Sequence, residues 1–371
     1  MYKFGSSCSY TAVFTILSLS LILVAITMLQ SGYSQTPNTF SVSSIILGKD
    51  KPISATIDEK TNKVYGIFAT EKGAKNLLYI IDTTQNKVLD TIKIGSEKSD
   101  YLSNIALDPE RGILYAAGQH IVNENDTIVA YDTVYVINST NNKFKRIPLY
   151  GETEEGKEGS LAGISVNPVT NKIYVGSLYP EGGKPGLYVI DGNTLESVYL
   201  EKWQYGIKDI QLDPESNFLY VGAKYDNLVS TIDQSNNQIV DNITVQSPIA
   251  LTLNVDEKIL YEAGSDGKVN AIDLSSKKNI SSIQTEYVKN ILYNPNDKLL
   301  YIVDQNITNI LSKNSNGTKS MAIAVNTSNN IINKFETEFR IENILINTST
   351  DQAYLLGYDG KNSKLFIMNS H

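Results

Sequence analysis

The chain has 371 residues, of which 41% are hydrophobic and 19% charged, and its 40 acidic against 32 basic residues leave a formal charge of −8. That composition excludes an intrinsically disordered polymer, and the acidic balance argues against a nucleic-acid partner. Tyrosine dominates the aromatic residues, 23 against one Trp and nine Phe; with only 10 Pro this points to a strand-rich chain in which tyrosine has a repeated structural task.

The first element is an apolar stretch over residues 12–29, with Lys3 the only charged residue ahead of Lys49. As a helix it would extend roughly 27 Å, between the lengths of a signal-peptide core and a membrane span. Gly32 and Ser34 are spaced as a signal peptidase requires for cleavage before Gln35. Residues 1–34 are therefore expected to be a signal peptide or an N-terminal membrane anchor. Residues 35–371 are then exported and lie outside the cell or at its surface, touching a membrane only through the anchor if it is retained. The single cysteine, Cys8, precedes the apolar stretch, so the exported part must fold without disulfides.

From there a nine-residue unit ending in tyrosine recurs seven times: Ile57 to Tyr65, Leu107 to Tyr115, Val166 to Tyr174, Leu212 to Tyr220, Leu253 to Tyr261, Tyr293 to Tyr301 and Ile346 to Tyr354. Its second place always holds Asp or Asn, and its third is Pro109, Pro168, Pro214 or Pro295 in four units. That is turn chemistry between two strands. Downstream of each tyrosine comes an apolar run closing on Asp or Asn, as in Tyr79-Ile80-Ile81-Asp82 and Tyr188-Val189-Ile190-Asp191, and then an alternating strand such as Lys87 to Ile94. Four strands per repeat at this period predict propeller blades. The last repeat ends after its third strand, while Ser43 to Gly48 is a spare strand ahead of the first repeat. The spare strand is expected to complete the last blade and so remove an open edge. The predicted fold is all-β: a seven-bladed β-propeller of four-stranded antiparallel blades, closed into a ring by the N-terminal strand.

The third unit, Asn167-Pro168-Val169-Thr170-Asn171-Lys172-Ile173-Tyr174-Val175, resembles the signature of the YVTN-type β-propeller repeat family, and weaker copies cover residues 53–371. The resemblance implies an exported, often surface-associated protein; many members have no known catalysis.

Propellers commonly bind through the loops that lead from one blade's outer strand to the next blade's inner strand, because these converge on the central channel. Tyr101, Trp203, Tyr205, Tyr287 and Phe339 fall in those loops, with Arg340 beside them. They are candidates to line a funnel for a protein or glycan partner at the cell envelope, although inter-blade packing would use the same residue types. His120 sits in an insertion, Gln119 to Asp126, read as a protruding recognition loop between second and third strands. A second insertion, Gly151 to Gly159, includes Glu154 and Glu155 as weak candidates for calcium, without the regular acidic spacing of a dedicated loop; a solvated acidic loop is the plainer reading. Catalytic groups are scarce: histidine occurs only at His120 and His371, and no other cofactor is expected. The functional expectation is a non-catalytic binding or surface-interaction module. The enzymatic alternative is a calcium-dependent lactonase-like or lyase-like propeller, whose ligands could be drawn from several blades.

Overall fold

The turn that ends each inner strand is built by one side chain. The second-place Asp or Asn accepts backbone N–H groups two or three residues ahead: Asp108 Oδ1 from Glu110 (3.0 Å) and Arg111 (3.1 Å), Asn167 Oδ1 from Val169 (2.9 Å) and Thr170 (3.1 Å), Asp213 Oδ1 from Glu215 (2.9 Å) and Ser216 (3.1 Å). Asp58, Asn254, Asn294 and Asn347 act in the same way. The sixth place of every unit then adopts a left-handed backbone, as Asn62, Gly112, Asn171, Asn217, Lys258, Lys298 and Asp351. Asparagine and glycine accept that conformation readily, whereas Lys258 and Lys298 carry a steric cost there.

These turns join strands into seven four-stranded antiparallel sheets in a computed structural model that describes residues 41–124, 126–154, 161–178, 185–200, 202–305 and 320–369. The blades belong to the compact unit Phe40–His371. The apolar N-terminal stretch and its cleavage site lie outside the described residues; among those described, no helix is long and apolar enough to cross a membrane. The inner strands, in chain order, are Lys51–Asp58, Asp100–Asp108, Leu161–Asn167, Asp209–Asp213, Pro248–Asn254, Val288–Asn294 and Arg340–Asn347. Six blades follow chain order from inner to outer strand. In the seventh the outer strand is Ser41–Gly48, paired antiparallel with Ser363–Asn369 from Ser41 opposite Asn369 to Gly48 opposite Ser363. The fold is thus the seven-bladed propeller with N-terminal closure that the repeat count implies.

Burial explains the hydrophobic pattern. A second strand such as Lys63–Ala69 is buried on both faces from Val64 to Phe68, because neighbouring blades cover it from either side. An outer strand such as Lys87–Lys93 keeps only Val88 and Ile92 partly covered. Seven apolar clusters fill the seven blade-to-blade interfaces, and each contains one unit tyrosine. Tyr65 packs against Ile105 and Leu114 of the second blade, and Tyr354 of the last blade packs against Ala55 and Val64 of the first. All seven are at most 5% exposed. Hydroxyls among them find polar partners within the packing: Tyr174 donates to Gln234 Oε1 of the next blade (3.2 Å) and Tyr354 to Gln352 Oε1 (2.6 Å).

The second blade departs from expectation. Gln119 to Asp126 is not a loop: strands Ile113–Glu124 and Thr127–Asn138 stay paired to the tip, with Glu124 opposite Thr127. The β-branched and aromatic residues Ile121, Val122, Ile128, Val129 and Tyr131 favour extension. The start of the acidic insertion joins them, since the outer strand Phe144–Glu154 pairs Glu152 with Tyr131 and Glu154 with Val129. Glu154 therefore belongs to a strand rather than a loop, while Glu155 lies outside the described residues.

One interface buries a carboxyl group. Glu262, on the second strand of the fifth blade, is fully buried; Oε2 accepts Asn270 Nδ2 (2.8 Å), whereas Oε1 has no partner. Burial raises its pKa from 4.5 to about 7. A carboxyl group whose folded pKa lies above its unfolded value favours the native state least once both are ionised, so stability falls as pH rises from 4.5 to about 7. Glu262→Gln should remove that slope: in urea titrations it matches the wild type near pH 4 and is up to about 3 kcal/mol more stable at pH 8. At the tyrosine ring, Tyr174→Ala should cost about 3–5 kcal/mol and Tyr174→Phe about 1, because only the former opens a cavity. Denaturation midpoints at fixed pH separate the two.

Candidate functional site

Six of the seven inner strands carry an irregularity at the same place, four residues before the unit begins. Pairing with the second strand skips Ile53, Ser103, Ile249, Lys289 and Glu342 in five blades, and Ala162 with Gly163 in the third. In the fourth blade Lys208 occupies this position, its N–H donating to the Gly222 carbonyl (2.8 Å) ahead of the first Asp209–Gly222 pair. A bulge re-aims the chain where pairing is interrupted. Here it brings side chains from all seven inner strands around one cavity of ≈ 260 Å³, with Ile53, Asn104, Ala162, Lys208, Asp209, Ile249, Lys289, Asn290 and Glu342 on its wall.

The lining is tied down by bonds between neighbouring blades. Asp209 Oδ2 accepts the Leu251 N–H (2.7 Å) from the next inner strand and Oδ1 accepts the Ile210 N–H (2.9 Å). Asn104 donates to the Ala162 carbonyl, and Ser103 Oγ to those of Ala117 and Leu161 (both 3.1 Å). The charges are unusual for an acidic protein: Lys208, Lys224 and Lys289 share the cavity with only Asp209 and Glu342. Glu342 is already engaged, with Lys289 Nζ at 3.5 Å from Oε2 and Arg340 Nε at 2.6 Å from Oε1. Burial, with the fields of Lys289 and Lys224 adding to it against the pull of Asp209, lowers the Lys208 pKa. Burial raises that of Asp209, opposed by the two N–H donors and Lys208.

The sequence-derived candidates divide into three groups. Tyr287 lines the cavity, its N–H held by Asp304 Oδ1 (2.8 Å), and Arg340 borders it through Glu342. Tyr205 is 39% exposed on the same loop face and meets Tyr225 edge-on at 6.4 Å; Lys224 Nζ, which lines the cavity, lies 5.1 Å from the Tyr225 ring centre. Asp226 accepts the N–H groups of Gln204 (3.1 Å) and Tyr205 (3.2 Å), which fixes this patch. Two others are packed inside: Trp203, 5% exposed, donates Nε1–H to Ser230 Oγ (3.0 Å), and Phe339, 4% exposed, stacks on Phe366 at 3.7 Å. Inter-blade packing is what these two do.

Tyr101 and His120 belong to the inner and second strands of the second blade, where Tyr101 stands opposite Gln119 and His120 opposite Asp100. His120 Nδ1 lies 2.9 Å from Oδ1 of Asp100, a fully buried carboxylate that also takes Tyr135 Oη (2.9 Å), a two-point fork from Arg146 (2.7 and 2.9 Å) and the Ser96 N–H (2.8 Å). The cluster locks the loop before the inner strand to the extended second blade. Among the described residues no group of three His, Cys, Asp or Glu side chains is placed to hold a metal ion. A larger, open groove of ≈ 800 Å³ between the sixth and seventh blades includes Asp359 and Lys364, which neutralise each other at 2.8 Å.

No protein-family model matches the chain, and no curated protein matches it in sequence. The site is therefore read from its own chemistry. Sequence reasoning missed Lys208, Lys224, Lys289, Asp209 and Glu342, yet one signal was present: the column four places before each unit reads Ile, Ser, Ala, Lys, Ile, Lys, Glu, with charge confined to the fourth, sixth and seventh blades.

The Asp100 cluster makes a separate prediction. Burial would raise the Asp100 pKa, but the Arg146 fork, the Ser96 N–H and the Tyr135 hydroxyl outweigh it and hold the pKa below 3.8. A depressed carboxylate pKa contributes stability that is complete above the unfolded value and lost as pH falls through the folded one. Asp100→Asn should cost about 3 kcal/mol at pH 7, and the gap to wild type should close only below pH 3.8. Acid and urea titrations of both proteins measure it.

Proposed function

We propose that this protein is an exported, non-catalytic propeller of the YVTN-repeat type that binds a protein or glycan partner at the cell envelope. The observation that carries this reading is the exposed aromatic patch of Tyr205 and Tyr225, held rigid by Asp226 and continuous through Lys224 with the channel. Rigid, amphipathic tyrosines on a loop face give large contact area at small entropic cost. Export is supported by the apolar stretch over residues 12–29 with Lys3 ahead of it. The enzymatic alternative is less well supported: a calcium-centred channel needs converging oxygen ligands, and three lysines on the cavity wall repel a divalent cation.

The test uses the full chain with a C-terminal tag. After fractionation it should be recovered from the medium or cell surface and be digested by protease added to intact cells. Added back to isolated envelopes, the wild type should be retained saturably, and the Tyr205→Ala, Tyr225→Ala double variant at least tenfold more weakly. Retention unchanged in the variant, or an intracellular protease-protected chain, overturns the reading.

A further inference from the structure

The geometry points to a small-anion site on the propeller axis: Lys208, Lys224 and Lys289 together bind a compact oxyanion of two or more negative charges, such as phosphate or a small polycarboxylate, as a free solute. The cationic surplus cannot be cancelled from within. Both Asp209 oxygens are occupied by backbone N–H groups, and Glu342 is shared between Lys289 and Arg340. Among the described residues Lys208 and Lys224 make no ion pair, the latter only facing the Tyr225 ring. Leaving ammonium groups partly desolvated and unneutralised is costly, and a multiply charged oxyanion is the partner that removes that cost with charge-assisted hydrogen bonds.

Shape and donors agree with this ligand. A cavity of ≈ 260 Å³ exceeds the roughly 30 Å³ share of one water several-fold, which suits a compact solute. Asn290 spends its carbonyl oxygen on the Ile291 N–H (2.8 Å), which leaves its NH₂ as a donor on the wall. Lysine ammonium groups act as point charges, so three of them read charge density more than planar shape. Monovalent acetate or chloride should therefore bind far more weakly than citrate or phosphate.

The site is independent of the loop-face reading, because an anion on the axis would bind whether or not the tyrosine patch holds a partner. Thermal unfolding and isothermal titration are run on the purified protein with inorganic phosphate and with citrate, against acetate and chloride at matched ionic strength. One of the two multivalent anions should raise the midpoint saturably with a dissociation constant below about 1 mM. Lys208→Met and Lys289→Gln should each weaken it at least tenfold, while Lys87→Gln, at an exposed outer-strand position of the first blade, keeps wild-type affinity. Lys208→Met also removes a desolvated charge, so its unliganded midpoint should not fall, and loss of binding in it is not a folding defect. Equal responses from all four anions, no response from any, or wild-type affinity in both lysine variants overturns the site.

Discussion

The ring stands on one repeated contact, a tyrosine from each blade's second strand sealed into the interface with the next blade. A single blade is a four-stranded sheet with two apolar faces, and neither can be left in water. Seven blades solve this only by closing, so that the interface of the seventh with the first is the same kind of object as the other six. Tyr354 against Ala55 and Val64 does there what Tyr65 does against Ile105 and Leu114. The residue type follows from the position: the ring fills a wide gap between splayed sheets, and the hydroxyl sits where the gap opens to polar groups such as Gln234.

That contact also explains why the fold was so legible. A nine-residue unit combining an Asx turn, a left-handed residue and an interface tyrosine meets three unrelated physical demands at fixed spacing, so its recurrence cannot be mistaken for compositional bias. Ring closure was legible for a different reason: a truncated last repeat and a spare first strand each expose an edge, and only their pairing removes both. Where the second blade was misread, the polar residues Asn123, Glu124 and Asp126 suggested a loop, but the β-branched and aromatic residues on either side, Ile121, Val122, Ile128, Val129 and Tyr131, sustain a ladder up to Glu124 opposite Thr127.

The site was less legible because its residues obey the repeat's geometry and not its composition. A bulge leaves no residue signature of its own: Ile53, Ala162 and Lys208 share a place without sharing chemistry. The loop aromatics drew attention because residue type suggests binding, yet Trp203 and Phe339 went to packing while Tyr205 and Tyr287 stayed on the accessible face. Flanking structure made the difference. Trp203 lies over Ser230 and Phe339 over Phe366, whereas Tyr205 and Tyr287 have their own backbones held outward by Asp226 and Asp304.

Charge placement on the axis follows from the same architecture. Inner strands converge, so each blade contributes at least one residue from this level to a small ring, and a few charged positions set its potential whatever the rest of the surface carries. A chain of net charge −8 thereby holds three lysines around one cavity. The ring is pinned at this level, because Asp209 bonds the fourth inner strand to the fifth and Asn104 and Ser103 bond the second to the third. The electrostatic cost of crowding these lysines is therefore kept in the folded state, and the scaffold presents their charges already gathered, without a lid or hinge having to move.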